Sequence, residues 1–310
     1  MVALIKSDSL NISLEYKKAE NEFIALLNCD DLDAKILADP DIVGNFNENI
    51  RSALRKSLDD DDESASLFVQ RCLYKINRLK FFWDDDLKNY SNENSRFLFD
   101  IHSDIESKWS AWEEKQIVID RPTDVARALC ERAQEDLEPE LSDDGRYIRD
   151  YVSDTGYRRL LAIASLDGLV EASQLSRVLG GASSEVQVML TRILWEEYGS
   201  GKLERKHSTY FAAMLDGMGL DSRPEAYFDL VPWEVLANIN HSFMVSEQKR
   251  KYLRYIGGLL YIEVSVPASF TNIKLAGERL GLSPEAISYW DLHIKEDIRH
   301  GQWMLDDVAL

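Results

Sequence analysis

His293, Asp297 and His300, in the segment WDLHIKEDIRHGQW (290–303), stand at i, i+4 and i+7. At about 100° per helical residue they fall at roughly 0°, 40° and −20°, one narrow face of a helix. Two imidazoles and a carboxylate so placed form a metal-ligand set; the plainer reading is a polar strip turned to water. The chain holds only 5 histidines, and two of them are spent within these eight positions. Flanking Trp290, Leu292, Ile294, Ile298 and Trp303 imply packing around the segment, which favours ligation. Glu296, about 60° from His293, is near enough to approach the site but is expected at the surface.

Three further segments carry chemistry. Glu263 is set inside LLYIEVSV, with Leu259, Leu260, Val266 and Pro267 at the positions where a helical ion-pair partner would sit. A buried carboxylate without a partner is costly, so a metal or a tertiary ion pair must balance it. In WEEYGSGKLERKHSTYF, Glu197 and His207 lie ten residues apart, about 80° on an unbroken helix, but Gly199 and Gly201 permit a bend that brings them together. One of Glu196 and Glu197 is expected to face water. Glu171, in SLDGLVEASQLSRVL, reads by itself as a surface or capping residue and gains weight only beside the others.

The set is therefore Glu171, Glu197, His207, Glu263, His293, Asp297 and His300. Carboxylate and imidazole without thiolate suit iron or manganese in redox work better than structural zinc. Four carboxylates balance two divalent ions, and facing helices are where such dinuclear sites are built. A neutral, oxygen-rich site favours the ferric state and hence reaction of the reduced pair with O₂.

A helical framework must position these residues. Glycine and proline are sparse, and apolar residues recur at three- and four-residue spacing, as in FVQRCLYKINRLKFFW (68–83), so an all-α fold is expected. LEYKKAENEFIALL reads as a first helix and SRFLFDIHSDIESKWSAWEEKQ as a long later one. Residues 1–117 form a helical N-terminal region, 118–154 an acidic, proline-containing connector with a short helix, and 155–310 the domain that carries the set. YLRYIGGLLYIEVSVPASF (252–270) is apolar on more than one face and is expected at the centre of the bundle. The acidic runs Asp59 to Glu63 and Asp84 to Asp86 read as solvated loops or helix starts.

A net charge of −19 argues against nucleic-acid and anionic-membrane partners. Cys29, Cys72 and Cys130 are distant and unpaired in spacing, which suits a reducing cytoplasm, and no stretch reaches the roughly 20 apolar residues of a membrane helix. The apolar run in MVALIKSDSL is too short for a signal sequence.

The combined motifs resemble the heme-oxygenase-like diiron oxidases and oxygenases, the iron-containing redox enzymes, over about residues 155–310. The resemblance rests on Glu197 with His207 in EEYGSGKLERKHSTYF, Glu263 in YIGGLLYIE, and His293, Asp297 and His300 in HIKEDIRH. It implies a heme-oxygenase-like helical bundle whose cofactors are two iron ions cycling between Fe2+ and Fe3+, with O₂ as co-substrate. LVEAS around Glu171, EYGSG, KHST and RYIGGLLYIE are similar to the N-oxygenase branch, which has an extra glutamate ligand upstream. That implies a non-heme diiron oxygenase acting on the nitrogen of a small amine or amino acid, free or tethered to a carrier, with an external electron donor and a homodimer formed through the N-terminal region. No cupin domain follows Leu310, so rearrangement chemistry that needs one is not expected. His241 is a weak candidate for the base that deprotonates the substrate, and Tyr255 and Tyr261 for residues that line or support the site. Oxidation of a C–H bond, with desaturation or C–C fragmentation, is the alternative chemistry; a metal-free helical interaction protein is the alternative class.

Overall fold

A computed structural model describes residues 10, 12–81, 86–119, 121–181 and 184–310 of the 310-residue chain. Expectations for the first nine residues and for Asp84 and Asp85 lie outside these. Among the described residues every regular element is helical, so the fold is all-α. Numbered in order, the helices are α1 (Leu14–Leu27), α2 (Leu32–Ala38), α3 (Gly44–Asp59), α4 (Glu63–Arg78), α5 (Arg96–Gln116), α6 (Val125–Leu137), α7 (Asp143–Tyr151), α8 (Asp154–Gly168), α9 (Glu185–Glu197), α10 (His207–Gly217), α11 (Trp233–Glu247), α12 (Tyr252–Arg279) and α13 (Ser288–Trp303). None is long and apolar enough to cross a membrane.

The chain divides into two compact units. One comprises Leu10–Asp120 with Val231–Met244, so that most of α11 belongs with the N-terminal helices. Its core packs α4 against α1, α3 and α5 through Phe23, Phe46, Phe68 and Leu73. The acidic turn after α3 is exposed from Asp59 to Asp61, and Asp62 caps α4 by accepting from the Ala65 amide. Asp86 is exposed too and accepts from the Lys88 amide. His241 belongs to this unit, with its Nδ1 3.1 Å from Glu113 Oε2.

The other unit comprises Arg121–Leu230 and Val245–Leu310. The stretch from 118 to 154 holds two helices, α6 and α7, both packed on α12. Helices α12 and α13 pack along each other, and α10 lies against α8 and α13. Trp290 of α13 donates from Nε1 to the buried Tyr157 hydroxyl of α8 (2.9 Å), tying those two helices together. Contrary to expectation, α12 is not buried all round: Leu253, Tyr261 and Ile262 are exposed, because the helix packs on α6, α7 and α13 and leaves one face uncovered.

Local devices set where the polar residues meet. Pro267 within α12 supplies no amide hydrogen to the carbonyl of Glu263, four residues earlier. At that level Gly301 of α13 comes so close that a Cβ there would lie 3.2 Å from the Glu263 carbonyl oxygen and 3.0 Å from Val264. After α9, Gly199, Ser200 and Gly201 all take positive φ, and the chain doubles back. A Cβ on Gly199 would meet the backbone of Arg205 and Lys206 at 2.5 Å. This return places His207 at the start of α10, beside the end of α9.

Backbone cannot yield as a side-chain tip does, so Gly199→Ala adds a clash to an already strained φ. We expect it to destabilise the protein by about 2 kcal/mol or more in denaturant unfolding. An unchanged midpoint would show that the reversal does not need glycine.

Candidate metal centre

The C-terminal unit brings its polar residues together in two groups that share Glu197, and in a third, less buried one of Glu196, Glu296 and His300. Glu171, Glu197, His207 and His293 each offer a ligand atom within 4.8 Å of one another, and so do Glu197, Glu263 and His300. All are buried except Glu171, which is half-buried. Glu197 spans both groups: its Oε2 lies 2.9 Å from His207 Nδ1 and its Oε1 3.4 Å from His300 Nδ1. Glu263 Oε2 is 3.4 Å from the same His300 nitrogen. In the first group His293 Nε2 is 2.9 Å from Glu171 Oε1 and 3.1 Å from His207 Nδ1.

Asp297 is buried one helical turn after His293 but falls outside both close groups. It nonetheless feels the charges of Glu263 and Glu197, and its Oδ1 has no hydrogen bond. Glu171 Oε2 and His300 Nδ1 also lack hydrogen-bond partners. Buried polar atoms are ordinarily satisfied, so three open atoms in one nitrogen- and oxygen-rich cluster mark a place for a cation. The set fits iron.

Other contacts orient the imidazoles. His293 Nδ1 lies 3.0 Å from the Tyr289 carbonyl, to which it donates, so Nε2 faces the cluster. His300 Nε2 is 3.0 Å from Glu196 Oε2, which leaves Nδ1 facing Glu197 and Glu263. Such outer partners fix the tautomer and ring plane of a ligand histidine. Arg299 holds Glu196 in turn and also pairs with Glu296, which is half-buried. The Tyr289 hydroxyl donates to Glu171 Oε1 (2.8 Å). Glu171 lies in the turn after α8, where Ala172 takes a left-handed φ of 60°. A non-glycine residue held there costs on the order of 1 kcal/mol, strain that gathers at functional positions.

Electrostatics follow from packing acids and imidazoles together. Burial opposes the charge of His293, but Glu171, Asp297 and Glu197 outweigh it and push its pKa up to about 10. His300 behaves likewise, raised to about 9 by Glu263, Glu197 and Glu196 against the effect of burial. Burial raises Glu263 and, further, Asp297, with neighbouring acids adding to it. Glu197 is lowered, because the histidines around it outweigh its burial. Among the described residues no lysine or arginine pairs with Glu263; it lies against His300.

Residues 158–310 match the family model described as iron-containing redox enzyme. That segment belongs to the family. Its polar cluster fits the metal the family is named for, and membership marks this segment as an oxidoreductase domain. The fold is accordingly the heme-oxygenase-like helical one. The chain is also 29% identical, over 143 residues, to the nitrosourea synthase of Streptomyces achromogenes subsp. streptozoticus. That alignment covers 46% of this chain and 30% of the relative, so the chain spans about a third of the relative's length.

The iron-containing redox domain places the other sequence candidates as follows. Tyr255 is buried, and its pKa is raised by burial and by the charge of Glu263. Tyr261 neither lines the cluster nor joins the core: it is 53% exposed, on the uncovered face of α12. Ile298, expected to pack, is also exposed, because Asp297 and His300 turn the opposite side of α13 inward. His241 lies in the other unit, bonded to Glu113. Sequence reading missed Glu196 and Tyr289 as supports; the spacing of Tyr289, four residues before His293, was the available signal.

His293 and His300 carry protons at neutral pH in the metal-free protein, and a metal needs them neutral. Ferrous binding should therefore release protons, and affinity should rise between pH 7 and 9. Anaerobic calorimetry in buffers of different ionisation enthalpy checks this; identical heats in both would contradict it.

Proposed function

We propose that the protein is a non-heme diiron N-oxygenase, which uses O₂ and an external electron donor to oxidise the nitrogen of a small amine or amino acid. One observation carries the reading: Glu171 lies with Glu197, His207 and His293 in a single group of ligand atoms within 4.8 Å. An added upstream acid is the feature that the resemblance ties to nitrogen chemistry. Likeness to a protein named for nitrosourea synthesis supports the same target.

In this reading Glu171, His207 and His293 hold one ion, and Glu263, His300 and Asp297 the other, with Glu197 reaching both. The bound pair supplies the electrons and Lewis acidity that make O₂ reactive toward nitrogen. The protein's residues do the rest. Glu196 keeps the His300 ring in plane, Tyr289 steadies Glu171, and Phe270, 5.5 Å from the His293 ring, shields that side from water. Four carboxylates neutralise two divalent ions, so the loaded site carries no net charge to be buried.

Anaerobic loading with ferrous iron should give about two irons per chain, and both Glu171→Ala and Asp297→Ala should lose one of them. Admitting O₂ should then give uptake that accelerates with a suitable amine. Full iron content in both variants would overturn the ligand assignment. Oxygen uptake indifferent to every amine would overturn nitrogen as the target and leave C–H oxidation.

A further inference from the structure

The outward side of α9 carries side chains that the metal cluster does not use. Val188 and Trp195 are both exposed, Trp195 by 56%, and their spacing of seven residues puts them on one stripe of the helix. The loop after α9 folds against that stripe: a Cβ on Gly201 would lie 3.0 Å from the Trp195 ring, which brings Lys202 and the exposed Leu203 alongside it. Tyr198, three residues on from Trp195, is exposed too, with Lys206 Nζ 4.5 Å from its ring centroid. Single exposed apolar residues are ordinary, but these adjoin one another and form a patch with a basic edge.

That edge runs against the charge of the chain. Of the five residues Lys202–Lys206, three are cationic and one, Glu204, is acidic, in a protein of net charge −19. Among the described residues neither Lys202 nor Arg205 makes an ion pair, whereas Arg149, Arg158 and Arg223 of the same unit pair with Asp150, Asp154 and Asp221. Arg205 and Lys206 do not stabilise α10 either, since they precede its N-terminus, the end at which the helix dipole repels a cation. Unpaired cations around an exposed tryptophan are the make-up of a surface that recognises an acidic partner.

The patch lies directly behind the cluster. Trp195 and Glu197 point about 160° apart, so the thickness of α9, about 10 Å, separates the patch from the buried acid. At the patch edge the Arg192 guanidinium lies 3.9 Å from the ring centroid of Trp303, whose ring is 5.6 Å from that of His300. Hydroxylation of an amine nitrogen forms an N–O bond, breaks the O–O bond and releases one water, and its balance takes up two electrons and two protons. We propose that this face docks a small acidic protein carrying a one-electron centre, which supplies those electrons to the cluster. Each docking oxidises one carrier, and two dockings serve one O₂. This rests on the diiron reading and holds for a carbon target as well as for nitrogen. A patch of this size suits the brief encounters of redox partners.

The test uses the full-length, iron-loaded protein, titrated in a calorimeter at low salt with two acidic carriers, a plant-type ferredoxin and a flavodoxin. At least one should bind the wild type, and binding should weaken as salt rises. K202E/R205E and W195A should each weaken it about tenfold or more, with iron content unchanged. K17E/K18E, which reverses two exposed lysines of the other unit, should bind like the wild type. In stopped flow, reduction of the ferric protein by the reduced carrier should slow in K202E/R205E and W195A, while reduction by dithionite should not. No binding of either carrier to the wild type, or unchanged affinity in K202E/R205E or in W195A, would overturn the surface, and normal dithionite reduction in the same samples would leave the diiron reading standing. Carrier binding lost in K202E/R205E, by a protein that takes up no iron, would overturn the diiron reading and keep the docking face. Sedimentation showing that the wild type self-associates and the two patch variants do not would assign the face to a second copy of the chain and overturn the carrier.

Discussion

Burial of several carboxylates, with no lysine or arginine among the described residues paired to them, is the constraint on which the C-terminal unit depends. Glu197, Glu263 and Asp297 are all withdrawn from water, and the groups that face them are imidazoles and one another. Without a metal, imidazolium rings meet part of that demand, which is why His293 and His300 hold their protons so tightly. Protons stand where divalent ions fit. A cluster of this kind is tolerated only inside a scaffold that prevents the acids from moving apart into water.

The scaffold answers with local irregularities more than with regular packing. Gly199 and Gly201 turn the chain back after α9, Ala172 holds a left-handed backbone next to Glu171, and Gly301 lets α13 close onto α12 beside Pro267. The glycines reach these conformations without a steric penalty, whereas holding Ala172 at its left-handed φ costs on the order of 1 kcal/mol. Gly199, Ala172 and Gly301 each lie within one or two residues of a cluster side chain, Glu197, Glu171 and His300 respectively. Trp290 and Tyr157, joined by a hydrogen bond in the core, hold the helices against which these deviations are braced.

Much of this was legible in the amino-acid order, for identifiable reasons. His293, Asp297 and His300 share a face because helical periodicity alone puts them there, and all three are buried. The return of the chain between Glu197 and His207 could be read from two glycines. Other features depend on tertiary contacts that leave no periodic trace. Glu171 looks like any surface acid until α13 brings His293 and Tyr289 to it. The exposure of Tyr261 and Ile298 was hidden because an apolar residue on a helix looks the same in sequence whether or not a neighbour covers it. The grouping of residues 231–244 with the N-terminal helices is also invisible in composition, since α11 is as apolar as its neighbours.

Glu196 and Glu197 are consecutive, and helical geometry points them in directions about 100° apart. The first contacts Nε2 of His300 and the second lies near Nδ1, so one dipeptide grips the ring from both edges. The two share one stretch of backbone, so a rotation or slip of α9 shifts both at once. The pose of that imidazole is thereby slaved to the register of a whole helix, which turns α9 into a lever through which distant changes in packing would reach the redox centre.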